Sequence, residues 1–318
     1  HLSLVCPVNL GFASFPDDGK SLDEVVNAAD AALQMAIERE QPMAFFDRTI
    51  DNVQSLHFRL EPQLRRALEK SEFVNYYQPK VELATGRIIG VEALVRWMDP
   101  MRGLVPPGEF VPALETTGLI GEVAQKIMER AIADWRSWRE AGLNAPRIAV
   151  NVAAAQLRTD DFVPALKRAL EVLDGDPSAI GIEVTESILI SNMERAIEIL
   201  QQVRALGVPV AIDDFGTGYS SLAYIVTLPI DELKIDRAFV KKITADAAYE
   251  GIVRTCVSLA RGLNLKVVAE GVETEGQAAA LRALGCDQAQ GFYYSPPVPA
   301  EQLVRMLKAG PIHPPKST

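Results

Sequence analysis

Cysteine is scarce in this 318-residue chain: Cys6, Cys256 and Cys286 are far apart and odd in number. That spacing supports neither a disulfide framework nor a Cys-x-x-Cys metal site, so the three read as small core hydrophobes in a reducing, cytoplasmic setting. No apolar run approaches the roughly 20 residues needed to span a bilayer. No signal-peptide pattern opens the chain either, and His1 as first residue is expected of a fragment. An excess of basic charge is also missing. Lys and Arg total 32 against 42 Asp and Glu, a formal net charge of −10. General nucleic-acid binders present a basic face, so no DNA partner is expected. A small phosphorylated ligand would need metal ions and a few placed cations. No Gly-rich phosphate fingerprint follows the first strand of the main pattern, which disfavours an open doubly wound sheet. No internal repeat or low-complexity segment is present.

What is there is an alternation of strands and helices. From residue 73 the chain reads as a hairpin, FVNYYQPKVEL (73–83) and RIIGVEALVRW (87–97) around ATG, so the first strand should run antiparallel to the second. A long helix over about 107–142 follows. Strands at 147–152, 179–187, 209–215, 232–236, 265–272 and 289–295 then alternate with helices at 156–174, 192–206, 219–228, 249–263, 274–284 and 299–309. Continuous apolar strands between helices indicate a parallel sheet buried on both faces. The predicted fold is a TIM-like (β/α)8 barrel over 73–310 with an antiparallel first strand, of the size expected for one barrel. Ahead of it, residues 1–50 form a small α/β fragment: strand 7–15, helix 21–40 with Ser21 and Glu24 at capping-box spacing, and strand 43–47. Residues 51–72 read as a helical linker with Pro62 in a first turn, and 311–318 as a Pro-rich frayed tail. Gly207, Gly262 and Gly285 fall where C-terminal helix caps belong.

Seven of the apolar runs end, or nearly end, in a polar side chain: Glu92, Asn151, Glu183, Asp213 with Asp214, Lys234, Glu270 and Gln290. Barrels hang reactive groups from successive strand ends onto one rim. The set is carboxylate and amide with neither His nor Cys, which suits a hard cation such as Mg²⁺ or Mn²⁺ rather than zinc. Successive strand residues point to opposite faces, so Asp213 and Asp214 can meet one site only where the strand is ending; such a doublet can bridge two cations. Taken alone, it would equally suit a turn before Gly. Glu92 lies inside an apolar strand, where an unpaired carboxylate is costly, so it needs a metal or an arginine partner. Asn151 is a neutral oxygen ligand or a strand-end cap. Lys234 is the one cation of the series; it can stabilise developing negative charge or simply pair with a neighbouring acid. Glu183 and Glu186 are three apart and need not share a face.

Residues 73–310 resemble an EAL domain, the bacterial family of cyclic di-GMP phosphodiesterases. The resemblance rests on Glu92-Ala93-Leu94-Val95-Arg96, FVPALETTGLI (110–120), NVAAAQL (151–157), EVTES (183–187), IDDFGTGYSSL (212–222), LKID (233–236), VVAEGVET (267–274) and QGFYYSPP (290–297), in order. It implies hydrolysis of cyclic di-GMP to linear pGpG by water activated at two Mg²⁺ or Mn²⁺ ions, with Ca²⁺ filling the site without supporting turnover. Glu92, Asn151, Glu183, Asp213 and Asp214 are then the metal ligands. Lys234, Glu270 and Gln290 handle water and charge. Glu186 and Glu273 support the loop that carries the aspartates, while Arg96 contacts a ligand phosphate and Gln78 lies near the ligand. The resemblance also implies a homodimer formed through the barrel. Two positions depart from the pattern: Ala153 where the family usually has Ser, and Pro296 where a basic residue is common. Residues 7–47 resemble the closing part of a GGDEF domain, through NLGFASFPDDG and LDEVVNAADAALQMA. The signature Gly-Gly-Asp/Glu-Glu-Phe motif is absent, and Gln34 and Ile37 replace the usual Tyr and Lys. Cyclase activity is therefore not expected, and the chain reads as part of a longer GGDEF–EAL protein with its sensory region upstream. The competing readings are a catalytically silent cyclic di-GMP receptor and a dimerisation or signalling module.

Overall fold

The computed structural model describes residues 9–38, 41–46, 60–173, 176–191, 193–216 and 225–312. The expected short helix at 219–228 and most of the DFGTGYSS loop lie largely outside these residues, as do Cys6 and the last six residues. The chain divides into two compact units, 1–70 with 108–119, and 71–107 with 120–318.

In the first unit, strands β1 (Leu10–Phe12) and β2 (Met43–Phe45) pair in parallel and are joined by the helix Leu22–Glu38. Their contact buries Met35, Ala36 and Ala44. Helix and strand approach so closely at Gly11 that a β-carbon there would lie 2.2 Å from the Ala29 carbonyl oxygen. The predicted cap is present in altered form. Ser21 Oγ accepts from the Glu24 N–H at 3.2 Å, but the Glu24 carboxylate accepts from the Lys20 N–H rather than from that of Ser21. A helix covers 60–69 with Leu64 and Ala67 fully buried. The expected single helix over 107–142 is two, Pro107–Thr116 and Ile120–Glu140. Gly118 separates them at φ +73°, a left-handed conformation that stops a helix.

The second unit is a closed eight-stranded barrel. Its strands are β3 (Phe73–Glu82), β4 (Ile88–Asp99), β6 (Arg147–Asn151), β7 (Ile180–Thr185), β8 (Val210–Phe215), β9 (Glu232–Ile235), β10 (Lys266–Ala269) and β11 (Gln288–Gln290). Short strands β5 (Gly103–Val105) and β12 (Val298–Pro299) extend β4 and β3. The ring runs β3-β11-β10-β9-β8-β7-β6-β4 and closes through the β3–β4 pairing. β3 is antiparallel to both its neighbours, β4 and β11, and the other six ring pairings are parallel. The hairpin predicted around ATG is the reason: Gly86 takes φ +70° and the Glu82 N–H reaches the Arg87 carbonyl at 3.0 Å.

Several boundaries are shorter than the apolar runs suggest. β7 stops at Thr185, and Glu186 opens the helix Glu186–Ser191. β11 stops at Gln290, where Gly291–Tyr294 turn back onto Val272 through a Tyr293 N–H bond of 2.9 Å. Gly207 and Gly285 do cap helices, at φ +82° and +77°. At the end of Ala247–Gly262, however, Asn264 is the left-handed residue, at φ +58°, and Gly262 is still helical. The tail begins tied down, with the Ile312 N–H on the Gly86 carbonyl at 2.8 Å. Cys256 and Cys286 are free and buried, as core hydrophobes should be. Among the described residues, no helix is long and apolar enough to cross a membrane.

Candidate active site

Strand geometry repeats every two residues, so each inward-facing position stacks above the one two places away. Two layers of the barrel interior follow from this. The lower layer, near the strand N-termini, contains Gly90, Ala149, Gly181, Ala211, Glu232 and Gln288. Two positions on, the upper layer contains Glu92, Asn151, Glu183, Asp213, Lys234 and Gln290. Glu270 stands just past the end of β10. β3 runs the other way and contributes Lys80 to the lower layer and Gln78, opposite Glu92 in register, to the upper.

Closure of the ring brings the upper layer together. Lys234 is fully buried, with Nζ 2.5 Å from Glu183 Oε2, 2.6 Å from Glu270 Oε1, 2.7 Å from Asp213 Oδ2 and 3.7 Å from Glu92 Oε2. Two sets of three carboxylates each bring oxygens within 4.8 Å of one another: Glu92, Glu183 and Asp213, and Asp213, Asp214 and Glu270. Asp213 belongs to both. Asn151 Nδ2 donates to Glu92 Oε1 at 2.7 Å, which leaves its amide oxygen as the available donor atom for a cation.

The aspartate doublet is not made by the strand ending. β8 continues to Phe215, but its pairing with β9 slips between Ile212 and Phe215, and Asp214 sits at φ +53°. A bulge with its extra residue in the left-handed region turns the second side chain toward the site, and Asp tolerates that conformation better than most residues. Asp213 Oδ1 also accepts from the Asp214 N–H at 2.8 Å. Glu186 is buried and accepts from the Gly216 N–H at 3.1 Å, which ties the end of β8 to the helix after β7.

The charges are unbalanced. Burial and neighbouring acids, chiefly Glu183 and Asp213, push the Glu92 carboxyl up despite Lys234. Desolvation, with Asp213 and Glu92 adding to it, pushes Glu270 up to about 8. Asp214 rises to about 6, through desolvation and then repulsion from Asp213 and Asp236. Glu183 is the exception: burial opposes its ionisation, but Lys234 and Lys80 hold it at about 2. Six carboxylates, Glu232 included, thus face two ammonium groups. The donors are all oxygen, and the excess negative charge is what hard divalent cations would neutralise. The side-chain oxygen of Gln290 is a further sign of an additional occupant. It is buried without a hydrogen-bond partner, while its Nε2 donates to Glu92 Oε2 at 2.6 Å and Gln78 Oε1 at 2.9 Å.

Not every expected residue faces the same task. Gln78 uses both ends of its amide internally, accepting from Gln290 and donating to the Ser295 carbonyl at 3.1 Å. It thereby braces Gln290. Arg96 is half-buried four residues beyond Glu92 on β4, 5.5 Å over the Tyr76 ring, with Nη1 on the Val95 carbonyl. Glu273 is exposed, and the loop it was expected to support lies largely outside the described residues. Its backbone N–H donates to Gln277 Oε1 at 2.7 Å. It stands just ahead of the Thr274 cap, whose capping box uses Gln277. Two residues escaped the sequence reading. Asp236 shares a hydrogen bond with Asp214 and caps the helix Arg237–Val240. Lys80 pairs with Glu183. It lies two residues from Gln78 on the same strand, and so shares its face, but its level follows from the register of that strand.

The EAL domain family matches residues 61–297, and the chain belongs to that family. It is 42% identical over 297 residues to the bifunctional diguanylate cyclase/cyclic di-GMP phosphodiesterase MucR of Pseudomonas aeruginosa, covering 93% of this chain and 43% of that protein. The cyclic di-GMP phosphodiesterase NbdA of the same organism is 38% identical over 308 residues, 96% of this chain and 39% of its own length. The chain therefore spans less than half of these curated relatives. A solved structure of the MucR phosphodiesterase in complex with cyclic di-GMP superposes with a TM-score of 0.74 at 46% identity, covering 77% of this chain and 99% of that one.

Proposed function

We propose that this chain is a metal-dependent phosphodiesterase that hydrolyses cyclic di-GMP to linear pGpG. The observation that carries the reading is the pair of carboxylate triads that share Asp213 around the buried Lys234. Glu92, Asn151, Glu183, Asp213 and Asp214 would hold two divalent cations, Mg²⁺ or Mn²⁺. When bound, such cations lower the pKa of an attacking water, neutralise nonbridging phosphate oxygens and stabilise the leaving oxygen.

The protein's own groups have distinct tasks in the reaction. Gln290, braced by Gln78 and Glu92, offers its unpartnered oxygen to the water and fixes its direction. Glu270 takes the proton as the water oxygen attacks phosphorus and the bond to the 3′-oxygen breaks; the freed 3′-oxygen takes up a proton from solvent. Lys234 holds Glu183, Asp213 and Glu270 at fixed spacing and offsets part of their charge. Arg96, farther out along β4, meets a phosphate of the substrate. Glu186 keeps the segment after Asp214 in place through Gly216. Residues 7–47 are the closing part of a GGDEF-like domain; the alignment with the bifunctional relative over 93% of this chain supports that assignment.

The test is direct. Purified protein with Mg²⁺ or Mn²⁺ should convert cyclic di-GMP to pGpG, followed by chromatography. Absence of turnover with either ion, at concentrations where the nucleotide demonstrably binds, would overturn the enzymatic reading in favour of a silent receptor.

A further inference from the structure

The lower layer of the barrel interior departs from the usual packing of a (β/α)8 barrel, where Val, Ile and Leu fill each layer. Here Gly90, Ala149, Gly181 and Ala211 leave a cavity of about 820 Å³ that opens at the strand N-termini and reaches Lys80, Glu232 and Glu183. Through this space the Lys80 side chain extends from the inverted strand β3. Its register partner on β4 is Gly90, and a β-carbon there would make only ordinary contact with it, 3.8 Å from Lys80 Cδ. Lys80 is buried, and its Nζ pairs with Glu183 Oε1, with Glu232 Oε1 as a second, longer partner at 3.4 Å. The other oxygen of Glu183, Oε2, faces Lys234 in the upper layer. The two oxygens of one buried carboxylate are thus divided between the two layers.

We infer that Lys80 is a positioning residue for the metal site, gripping Glu183 from beneath so that its second oxygen stays aimed at Glu92 and Asp213. The inference rests on the metal-dependent reading above. An ion pair on the far oxygen fixes the carboxylate's rotamer without taking the oxygen that faces the triad. Without Lys80, that far oxygen is buried with no donor, and the carboxylate rotates toward Lys234 to satisfy it. Partners that orient a metal ligand in this way are typically worth 10–100-fold in metal affinity. Orientation and plain charge predict opposite signs. Removing a positive charge next to a cation site should tighten cation binding if charge alone matters, and removing Glu232 should weaken it.

The experiment titrates Mn²⁺ into the full chain and reads free Mn²⁺ by electron paramagnetic resonance, without nucleotide. Lys80→Met keeps the length of the side chain and removes its charge. It should weaken Mn²⁺ binding about 10–100-fold, so that one ion is held where the parent holds two. Glu232→Gln should stay within about twofold of the parent, because the pairing between Lys80 and Glu183 survives. Circular dichroism checks folding; if the methionine variant does not fold, Lys80→Gln keeps a polar tip in the cavity and should shift Mn²⁺ binding in the same direction. Equal or tighter Mn²⁺ binding by the Lys80 variant, or an equal loss in Glu232→Gln, would overturn the inference. Failure of the functional reading looks different: the parent would bind Mn²⁺ and not turn over cyclic di-GMP.

Discussion

The two interior layers of the barrel are built from the same strands, two residues apart, and have opposite characters. The upper layer is crowded with carboxylates and amides that share partners. The lower layer is mostly glycine and alanine, with Glu232, Gln288 and one lysine, around a cavity that opens at the strand N-termini. In most barrels both layers would be packed with branched aliphatic side chains. The contrast shows how a barrel can hold an ionic cluster in its interior. A mutually repelling set of acids needs counter-charge from below as well as in its midst, and a small-residue layer leaves room for a lysine to reach it.

The contrast can be tested from both sides. The largest effect should come from emptying the upper layer of cations: chelation with EDTA should abolish turnover, with Mg²⁺ or Mn²⁺ restoring it and Ca²⁺ failing to. Next is Glu92→Ala. It removes a carboxylate of the first triad together with the acceptor of Asn151 and Gln290. Turnover should fall on the order of 10³-fold, in line with the several kcal/mol that metal stabilisation of a phosphoryl transition state supplies. Residual turnover close to that of the parent would detach the triad from catalysis. A smaller loss, about 10–100-fold in kcat, is expected for Glu186→Ala, which frees the Gly216 N–H without touching a carboxylate of either triad. A change confined to KM would argue against its part in placing the aspartates. The smallest effect belongs below. Ala211→Val adds volume to a layer with space, so urea unfolding should change by under about 1 kcal/mol, against the 1–3 kcal/mol typical of overpacking a filled core. A larger loss would mean that the lower layer is packed after all.

Much of this was legible in the sequence because strand periodicity is a local property. Gly-Val-Glu in β4, Ala-Val-Asn in β6, Gly-Ile-Glu in β7 and Ala-Ile-Asp in β8 each put a small residue and a polar one on the same face, two apart. The inverted first strand followed from the three-residue hairpin at 84–86. Other features were not legible. Asp213 and Asp214 meet one site through a bulge, which depends on how β8 pairs with β9 rather than on the run of residues. Glu273 matches the family pattern in sequence, yet lies exposed ahead of a helix cap. Gln78 and Lys80 come from the one strand that runs backwards, so their levels in the barrel follow from register.

The amino-acid sequence by itself determined the order of strands and helices, the faces of the strands and the family to which the chain belongs. Tertiary structure alone decided which acids share a neighbour, that Lys234 sits among four of them, and that Lys80 reaches Glu183 from beneath. The reason is physical. A side chain's face is set by its own backbone, but its distance to a group 50 or 200 residues away is set by how the ring closes and how far each strand is shifted against the next.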